Sequence, residues 1–171
     1  MMSLDGRATE EVLLQTTAAE LNAEISPDGH WLAYQSNESG QYEIYVRPFP
    51  NVNDRRSLVS TSGGTRPAWA RSGRELFYLD GKGLLTAVSV QTTASDFKAG
   101  NPAKLLDTRY YAGASALGID LRGYDVSSDG QRFLMIKDNA QTDQTATAAP
   151  ASMVVVLNWA TELEARMPST K

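Results

Sequence analysis

The chain has 171 residues, of which 42% are hydrophobic and 21% charged, and it contains no cysteine. This is an ordinary globular composition, and it excludes disulfide frameworks, cysteine-based zinc sites and thiol nucleophiles. The formal net charge is −4, which argues against a nucleic-acid partner because phosphate binding needs a basic face. The longest apolar run, residues 153–157, is far too short for a membrane span, so no membrane insertion is predicted.

A lone outer strand is predicted first, over residues 10–17, and a repeating unit follows it. Residues 14–34 align without a gap with residues 58–78, at an offset of 58 − 14 = 44. A third copy, over residues 126–135, lies 129 − 72 = 57 residues beyond the second. Repeats of roughly 40 to 45 residues with four short strands each are typical of β-propeller blades.

Each unit is predicted to form one antiparallel blade, because short β-branched and aromatic runs alternate with turn residues. For blade 1, residues 18–60, the predicted strands are 24–26, 31–35, 42–47 and 56–60. For blade 2, residues 61–108, they are 67–71, 75–79, 84–91 and 103–107. For blade 3, residues 109–159, only three are predicted, at 124–127, 132–137 and 152–158. A short C-terminal helix is predicted over residues 160–171.

The strand count predicts an all-β half-propeller over residues 1–171. The sum 1 + 4 + 4 + 3 is twelve strands, or three blades' worth, whereas propellers typically close with four to eight blades. We therefore expect a homodimer that closes a six-bladed ring, with residues 11–16 of each chain beside residues 152–158 of the other. The other interpretation is that the chain is the tail of a longer propeller.

Two segments interrupt the repeat. Residues 109–122 carry Tyr110 and Tyr111 among small residues, which indicates either a surface recognition loop or a packed long connection. Residues 138–151 are rich in Ala, Thr, Gln and Asp. They have too little apolar surface to offset the entropy of ordering them, so a mobile hairpin tip is expected.

The turn motifs carry a family resemblance that extends over residues 10–159. Ser26-Pro27-Asp28-Gly29, Ser128-Asp129-Gly130 and the strand sequence Leu32-Ala33-Tyr34 resemble the TolB-like, Pro-Asp-type relatives of the Trp-Asp propeller repeats. The resemblance is closest to the C-terminal propellers of bacterial Ser/Thr protein kinases. It implies the fold alone, because the sequence has no kinase motif.

The second unit departs from this motif, since it has Arg71-Ser72-Gly73. We expect its turn to lose the aspartate acceptor and to keep the glycine.

No catalytic residue, metal-ligand set or cofactor is predicted, and the chain is expected not to be an enzyme. The single histidine, His30, occupies the repeat position of Arg74 and Gln131, which indicates an exposed polar site. A stand-alone enzyme is disfavoured because a histidine-based triad or metal site would depend on this residue alone.

Charged residues near the innermost strands are the better candidates for a site. Glu24 and Asp125 occupy equivalent positions there, and innermost strands line the channel of a propeller. These carboxylates can bind a cation, remain solvated, or pair with Arg66 and Arg122 at the channel mouth. The predicted binding residues, in the channel and on the face, are Glu24, Arg66, Tyr110, Tyr111, Arg122 and Asp125.

The apolar residues at equivalent positions have a predicted structural role. Ile25, Trp69 and Val126 form one set, and Leu32, Leu76 and Phe133 form another. Both sets are expected to fill the space between neighbouring blades.

The predicted function is a non-enzymatic propeller module for protein–protein interaction or ligand sensing, with an unknown protein partner or small ligand. The alternative is the accessory propeller of a larger enzyme, such as a prolyl-oligopeptidase-type hydrolase or a receptor kinase. The sequence leaves the cellular compartment open.

Overall fold

A computed structural model describes residues 12–106 and 122–137, together with the backbone of residues 152–157. Every regular element in these residues is a β-strand, and none of them is a helix that could cross a membrane. The strands form three sheets in which each strand pairs antiparallel with its neighbours in sequence.

The sheets follow the predicted repeat. The first contains β1 (Glu20–Ile25), β2 (Trp31–Ser36), β3 (Glu43–Pro48) and β4 (Ser57–Leu58). The second contains β5 (Gly64–Trp69), β6 (Glu75–Asp80), β7 (Leu85–Thr92) and β8 (Phe97–Lys104). The third contains β9 (Tyr124–Val126), β10 (Arg132–Lys137) and β11 (Ser152–Leu157). The predicted all-β class with antiparallel four-stranded blades is confirmed.

The outer strand predicted over residues 10–17 stays a prediction, because it needs a neighbouring strand to pair with; residues 12–17 form no strand in the single chain. Thr16 Oγ1 accepts a hydrogen bond from the backbone N–H of Ala18, at 3.0 Å, and such local side-chain bonds compete with strand pairing. The strand β8 begins at Phe97, six residues before the predicted start at 103. Three predictions fall on residues outside the described part of the chain. They are the C-terminal helix over residues 160–171, the mobile hairpin tip over residues 138–151, and the loop that contains Tyr110 and Tyr111.

Two layers of apolar side chains hold the sheets together. Between the first and second sheets, Phe97 contacts both indoles, with ring centroids 5.4 Å from Trp31 and 6.5 Å from Trp69. Between the second and third, the rings of Phe77 and Phe133 meet edge-to-face at 4.9 Å and 87°. Such aromatic pairs contribute about 0.5–1.5 kcal/mol beyond the burial of their area.

The strand registers pair the two predicted apolar sets with each other. Ile25 lies opposite Leu32, and Trp69 lies opposite Leu76. The prediction of burial is wrong for Ile25, which is 46% exposed. Its counterpart Trp69 packs into the layer between the first two sheets, so Ile25 lies on the face of the first sheet that is turned away from the second.

The two terminal faces of the row of sheets differ in chemistry. On the first sheet Tyr34 and Tyr45 stack at 5.8 Å. Arg47 donates a 2.7 Å hydrogen bond from Nε to Tyr34 Oη, and Arg56 Cζ lies 5.1 Å from the Tyr45 ring centroid. On the third sheet, Leu134 and Ile136 alternate with the buried residues of β10 and are 44% and 41% exposed.

The turns that join the first two strands of the first and third sheets share one hydrogen-bond pattern. Asp28 Oδ1 accepts from Ser26 Oγ at 2.5 Å and from the His30 backbone N–H at 3.1 Å. The third sheet repeats this pattern around Asp129.

In the second turn the expected departure is confirmed. Ser72 Oγ accepts only a long 3.3 Å bond from the Arg74 N–H. Gly73 keeps the turn with φ = 70°, a left-handed conformation that glycine adopts without strain.

Candidate functional site

The innermost strands of the first two sheets are interrupted at the same repeat position. The register of β1 shifts between Leu21 and Glu24, and that of β5 shifts between Thr65 and Ala68. Each irregularity holds one non-glycine residue in the left-handed region, Asn22 at φ = 52° and Arg66 at φ = 55°. A left-handed backbone conformation costs a non-glycine residue about 1–3 kcal/mol. Residues in such conformations are concentrated at functional sites.

One buried amide holds both irregularities. Gln35 is fully buried, and its Oε1 accepts hydrogen bonds from Asn22 Nδ2 at 3.0 Å and from the Arg66 backbone N–H at 2.7 Å. The Arg66 carbonyl in turn accepts a 2.6 Å bond from Tyr124 Oη on the third sheet. The inner strands of all three sheets are therefore fixed to one another through polar groups.

Tyr124 can only donate in this arrangement. Its side chain is buried, and burial raises the pKa of the Tyr124 hydroxyl far above its ordinary value. The hydroxyl is therefore protonated at physiological pH, which fixes the direction of its hydrogen bond to the Arg66 carbonyl.

Arg122 forms a second connection among the inner strands. Its Nη1 contacts Glu24 Oε2 and donates to the Pro67 carbonyl at 3.2 Å, and its Nη2 lies 3.8 Å from Asp125 Oδ1. The Glu24 carboxylate is thus neutralised by an arginine. The side chain of Asp125 remains 74% exposed.

These residues surround an open cavity of about 650 Å³. The residues that line it belong to the inner strands of all three sheets or, in the case of Arg122, lie just before β9; they are Asn22, Ala23, Glu24, Pro67, Arg122, Tyr124 and Asp125. We call Asn22, Glu24, Arg66, Arg122 and Asp125 the channel-end cluster. Its exposed carboxylate beside a guanidinium can accept and donate hydrogen bonds to a bound molecule.

The structure brings three of the six predicted site residues, Glu24, Arg122 and Asp125, to the cavity, and it links Arg66 to them through the hydrogen bond from Tyr124 to the Arg66 carbonyl. Within the described part of the chain, no group of three or more His, Cys, Asp or Glu side chains is arranged to hold a metal ion. The contribution of Gln35 was missed, because the second unit has Leu79 at the equivalent position (79 − 35 = 44) and no motif marks a single buried amide.

Comparisons of the sequence with protein-family models and with curated proteins found no match. The structure is similar to a protein assigned as TolB from Agrobacterium tumefaciens, with a TM-score of 0.53 and 14% identity over 84% of this chain and 47% of that one. It is also similar to the acylaminoacyl peptidase of Pyrococcus horikoshii, with a TM-score of 0.53 and 13% identity over 82% of this chain and 23% of the peptidase.

These similarities define the class of fold. The chain has the architecture of a TolB-like β-propeller, and it spans less than half the length of either solved structure. The described sheets do not close a ring.

Proposed function

We propose that this chain is a non-enzymatic propeller module that binds a protein or a small ligand through the channel-end cluster. The observation that carries the proposal is the shared left-handed backbone of Asn22 and Arg66, held by the buried Gln35 amide. A binding site benefits from such a frame, because groups fixed in advance lose little entropy when a ligand arrives.

The chemistry of the cluster favours a partner that offers hydrogen-bond donors. Arg122 already bonds Glu24 and the Pro67 carbonyl, so its guanidinium is largely occupied. Asp125 is exposed and lies at the longer distance of 3.8 Å from Arg122. Its carboxylate is therefore the acceptor that a ligand reaches with least competition.

A screen of fragments by NMR with the ¹⁵N-labelled full chain tests this site. We expect amine- or amide-bearing fragments to shift the amides of Asn22, Arg66 and Asp125, and the shifts to be lost in Asp125→Ala. Asp54→Ala, at an exposed aspartate outside the cluster, is the matched control and retains them. Fragments that bind only elsewhere contradict the proposed site.

We further propose that two chains form a homodimer that completes the ring. The exposed Leu134 and Ile136 on the third sheet and Ile25 and Leu58 on the first support this proposal, since soluble proteins rarely leave apolar sheet faces uncovered. The arginine-covered tyrosines of the first sheet make that surface less apolar than the strand count alone suggests.

Light scattering of the purified chain distinguishes a monomer from the proposed dimer. A dimer has twice the 18.6 kDa of one chain, and Leu134→Asp combined with Ile136→Asp is expected to give a monomer. Gln91→Asp, at an exposed position on the second sheet, should leave the dimer intact. A folded wild-type monomer at micromolar concentration rules out this homodimer.

The second candidate function is that of an accessory propeller in a larger enzyme. It is supported by the structural similarity to the acylaminoacyl peptidase, of which the match covers 23%. A hydrolase or kinase sequence in the same reading frame would establish it, and its absence from the complete gene product would exclude it.

A further inference from the structure

A cavity of about 710 Å³ forms a groove between the second and third sheets. It lies where β5 ends and its turn begins. Its lining comes from this turn (Ala70, Arg71, Ser72, Arg74), from β6 to β8 (Glu75, Ala87, Ser89, Asn101, Ala103) and from the third turn (Ser128, Asp129, Gly130, Gln131). A volume of this size falls within the range of roughly 300–1,000 Å³ that ligand sites occupy.

Small side chains keep the floor of the groove open. Ala87 and Ala103 lie opposite each other on β7 and β8, and Ser89 lies opposite Glu75 on β6. Gly100 leaves room for Ser89, whose Oγ would lie 2.3 Å from a Cβ at position 100. The floor therefore offers both methyl groups and hydrogen-bonding groups to a bound molecule.

Three charged side chains of the groove, those of Arg71, Arg74 and Glu75, form no ion pair with a described residue, whereas Asp129 pairs with Arg132. Glu75 is half-buried, and burial raises the pKa of its carboxyl group. Arg71 and Arg74 are exposed and likewise form no ion pair with a described residue. A carboxyl group and two guanidinium groups are thus available together at one groove.

The altered second turn places no carboxylate beside these arginines. In the third turn Asp129 Oδ2 lies 3.2 Å from Arg132 Nη2 and pairs with it. The equivalent residue of the second turn is Ser72 (129 − 57 = 72), which has no charge to pair with Arg71 or Arg74. The turn loses a strong acceptor at this one place, and local exceptions of this kind are expected where a site needs them.

We propose that this groove binds the end of a peptide whose last residue is Lys or Arg. The terminal carboxylate pairs with Arg74 and Arg71, since guanidinium and carboxylate form charge-assisted hydrogen bonds. The basic side chain pairs with Glu75, and Ser89 and Asn101 accept or donate hydrogen bonds to the peptide backbone. Complementary charges at two points determine the direction in which the peptide lies.

Titration calorimetry of the full chain with three peptides tests the proposal. We expect acetyl-Ala-Ala-Lys with a free carboxylate to bind, and both its C-terminal amide and acetyl-Ala-Ala-Ala with a free carboxylate to bind at least tenfold more weakly. Equal affinity for the acid and the amide, or no binding of the acid at millimolar concentration, overturns the proposal.

Variants locate the site. Glu75→Gln, Arg74→Met and Ser72→Asp should each weaken the binding of the lysine peptide at least tenfold. Asp96→Asn and Lys98→Met change an exposed ion pair outside the groove and should have no effect. Arg71 also borders a cavity that contains Glu24 and Arg122, so Arg74→Met is the more informative change.

Peptide binding in the groove should not depend on the channel-end cluster. Asp125→Ala leaves every residue of the groove in place, so the lysine peptide should bind that variant as it binds the wild type. Loss of peptide binding in Asp125→Ala, with retention in Arg74→Met, contradicts the groove and places the peptide at the channel end.

Discussion

Asn22 and Arg66 adopt the same left-handed backbone conformation at a separation of 66 − 22 = 44 residues, and the amide oxygen of Gln35 accepts a hydrogen bond from each. The repeat of the sequence is therefore also a repeat of backbone strain. One side chain that occurs in a single unit stabilises the irregularity of both units, so the two blades depend on each other at the channel end.

Replacement of Gln35 by Leu, the residue of the second unit at this position, should destabilise the protein by about 1–3 kcal/mol. It removes the acceptor of the Arg66 N–H and the Asn22 amide from a buried site. Urea unfolding measures the loss. Gln91→Leu, at an exposed position, should change stability by less than about 0.5 kcal/mol, and equal effects of the two variants would show that the buried bonds contribute nothing.

Substitution of Asn22 by Ala and by Gly separates strain from hydrogen bonding, because both variants lose the amide. The Gly variant should be more stable by about 1 kcal/mol, since only glycine adopts φ = 52° freely. At Ala23, which has no positive φ, the order should reverse, with Gly less stable than Ala. Thermal unfolding of the four proteins checks this, and the same order at both positions would contradict it.

Truncation of Phe133 to Ala should cost about 3–5 kcal/mol, because the ring is fully buried against Phe77. Truncation of the adjacent Leu134, which is 44% exposed, should cost far less in the isolated chain. Denaturant unfolding compares the two variants. A small loss for Phe133→Ala would mean that the third sheet does not pack on the second in solution.

Acid should weaken the turns of the first and third sheets. Burial acts to raise the pKa of Asp28, but the hydrogen bonds from Ser26 and the His30 N–H outweigh it and hold that pKa below its ordinary 3.8. The Ser127 hydroxyl and the Gln131 N–H lower the pKa of Asp129. Because the pKa is depressed in the folded state, this stabilisation is present above about pH 4 and is lost as the pH falls through the folded pKa.

The unfolding free energy of the wild type should therefore decrease more steeply between pH 5 and pH 3 than that of the double variant Asp28→Asn, Asp129→Asn. The amide oxygen still accepts hydrogen bonds but does not titrate. Asp54→Asn, outside the turns, should follow the wild-type profile. Parallel profiles for all three proteins would show that the turn aspartates do not contribute to the pH dependence.

The sequence predicted the sheets well because their signals are local. Turn residues such as Gly29 and Gly130 mark the points where strands meet, and the strand β10 was predicted with the bounds that the structure shows. The burial of Ile25 could not be predicted in the same way, because it depends on which sheet covers that face. The repeat period makes Ile25 equivalent to Trp69, but it does not say whether another sheet packs on the face where each residue lies.

The channel-end cluster was predictable only in part. Glu24 and Asp125 occupy equivalent positions of the repeat on inner strands, so their proximity to a channel could be predicted. The placement of Arg66 depends on the register shift in β5 and on the hydrogen bond to Gln35, 31 residues away along the chain. Contacts of this kind arise from three-dimensional packing, which the repeat period does not encode.

The outer faces of the first and third sheets differ in chemistry, so the two ends of the row of sheets are not equivalent. An arginine-covered tyrosine pair faces outward at one end, and Leu134 and Ile136 face outward at the other. In the proposed homodimer the two faces meet each other, so each contact is heterologous, with the head of one molecule on the tail of the other. Contacts of this type either close into a ring or continue as an open filament, and the rotation between successive molecules decides which assembly forms.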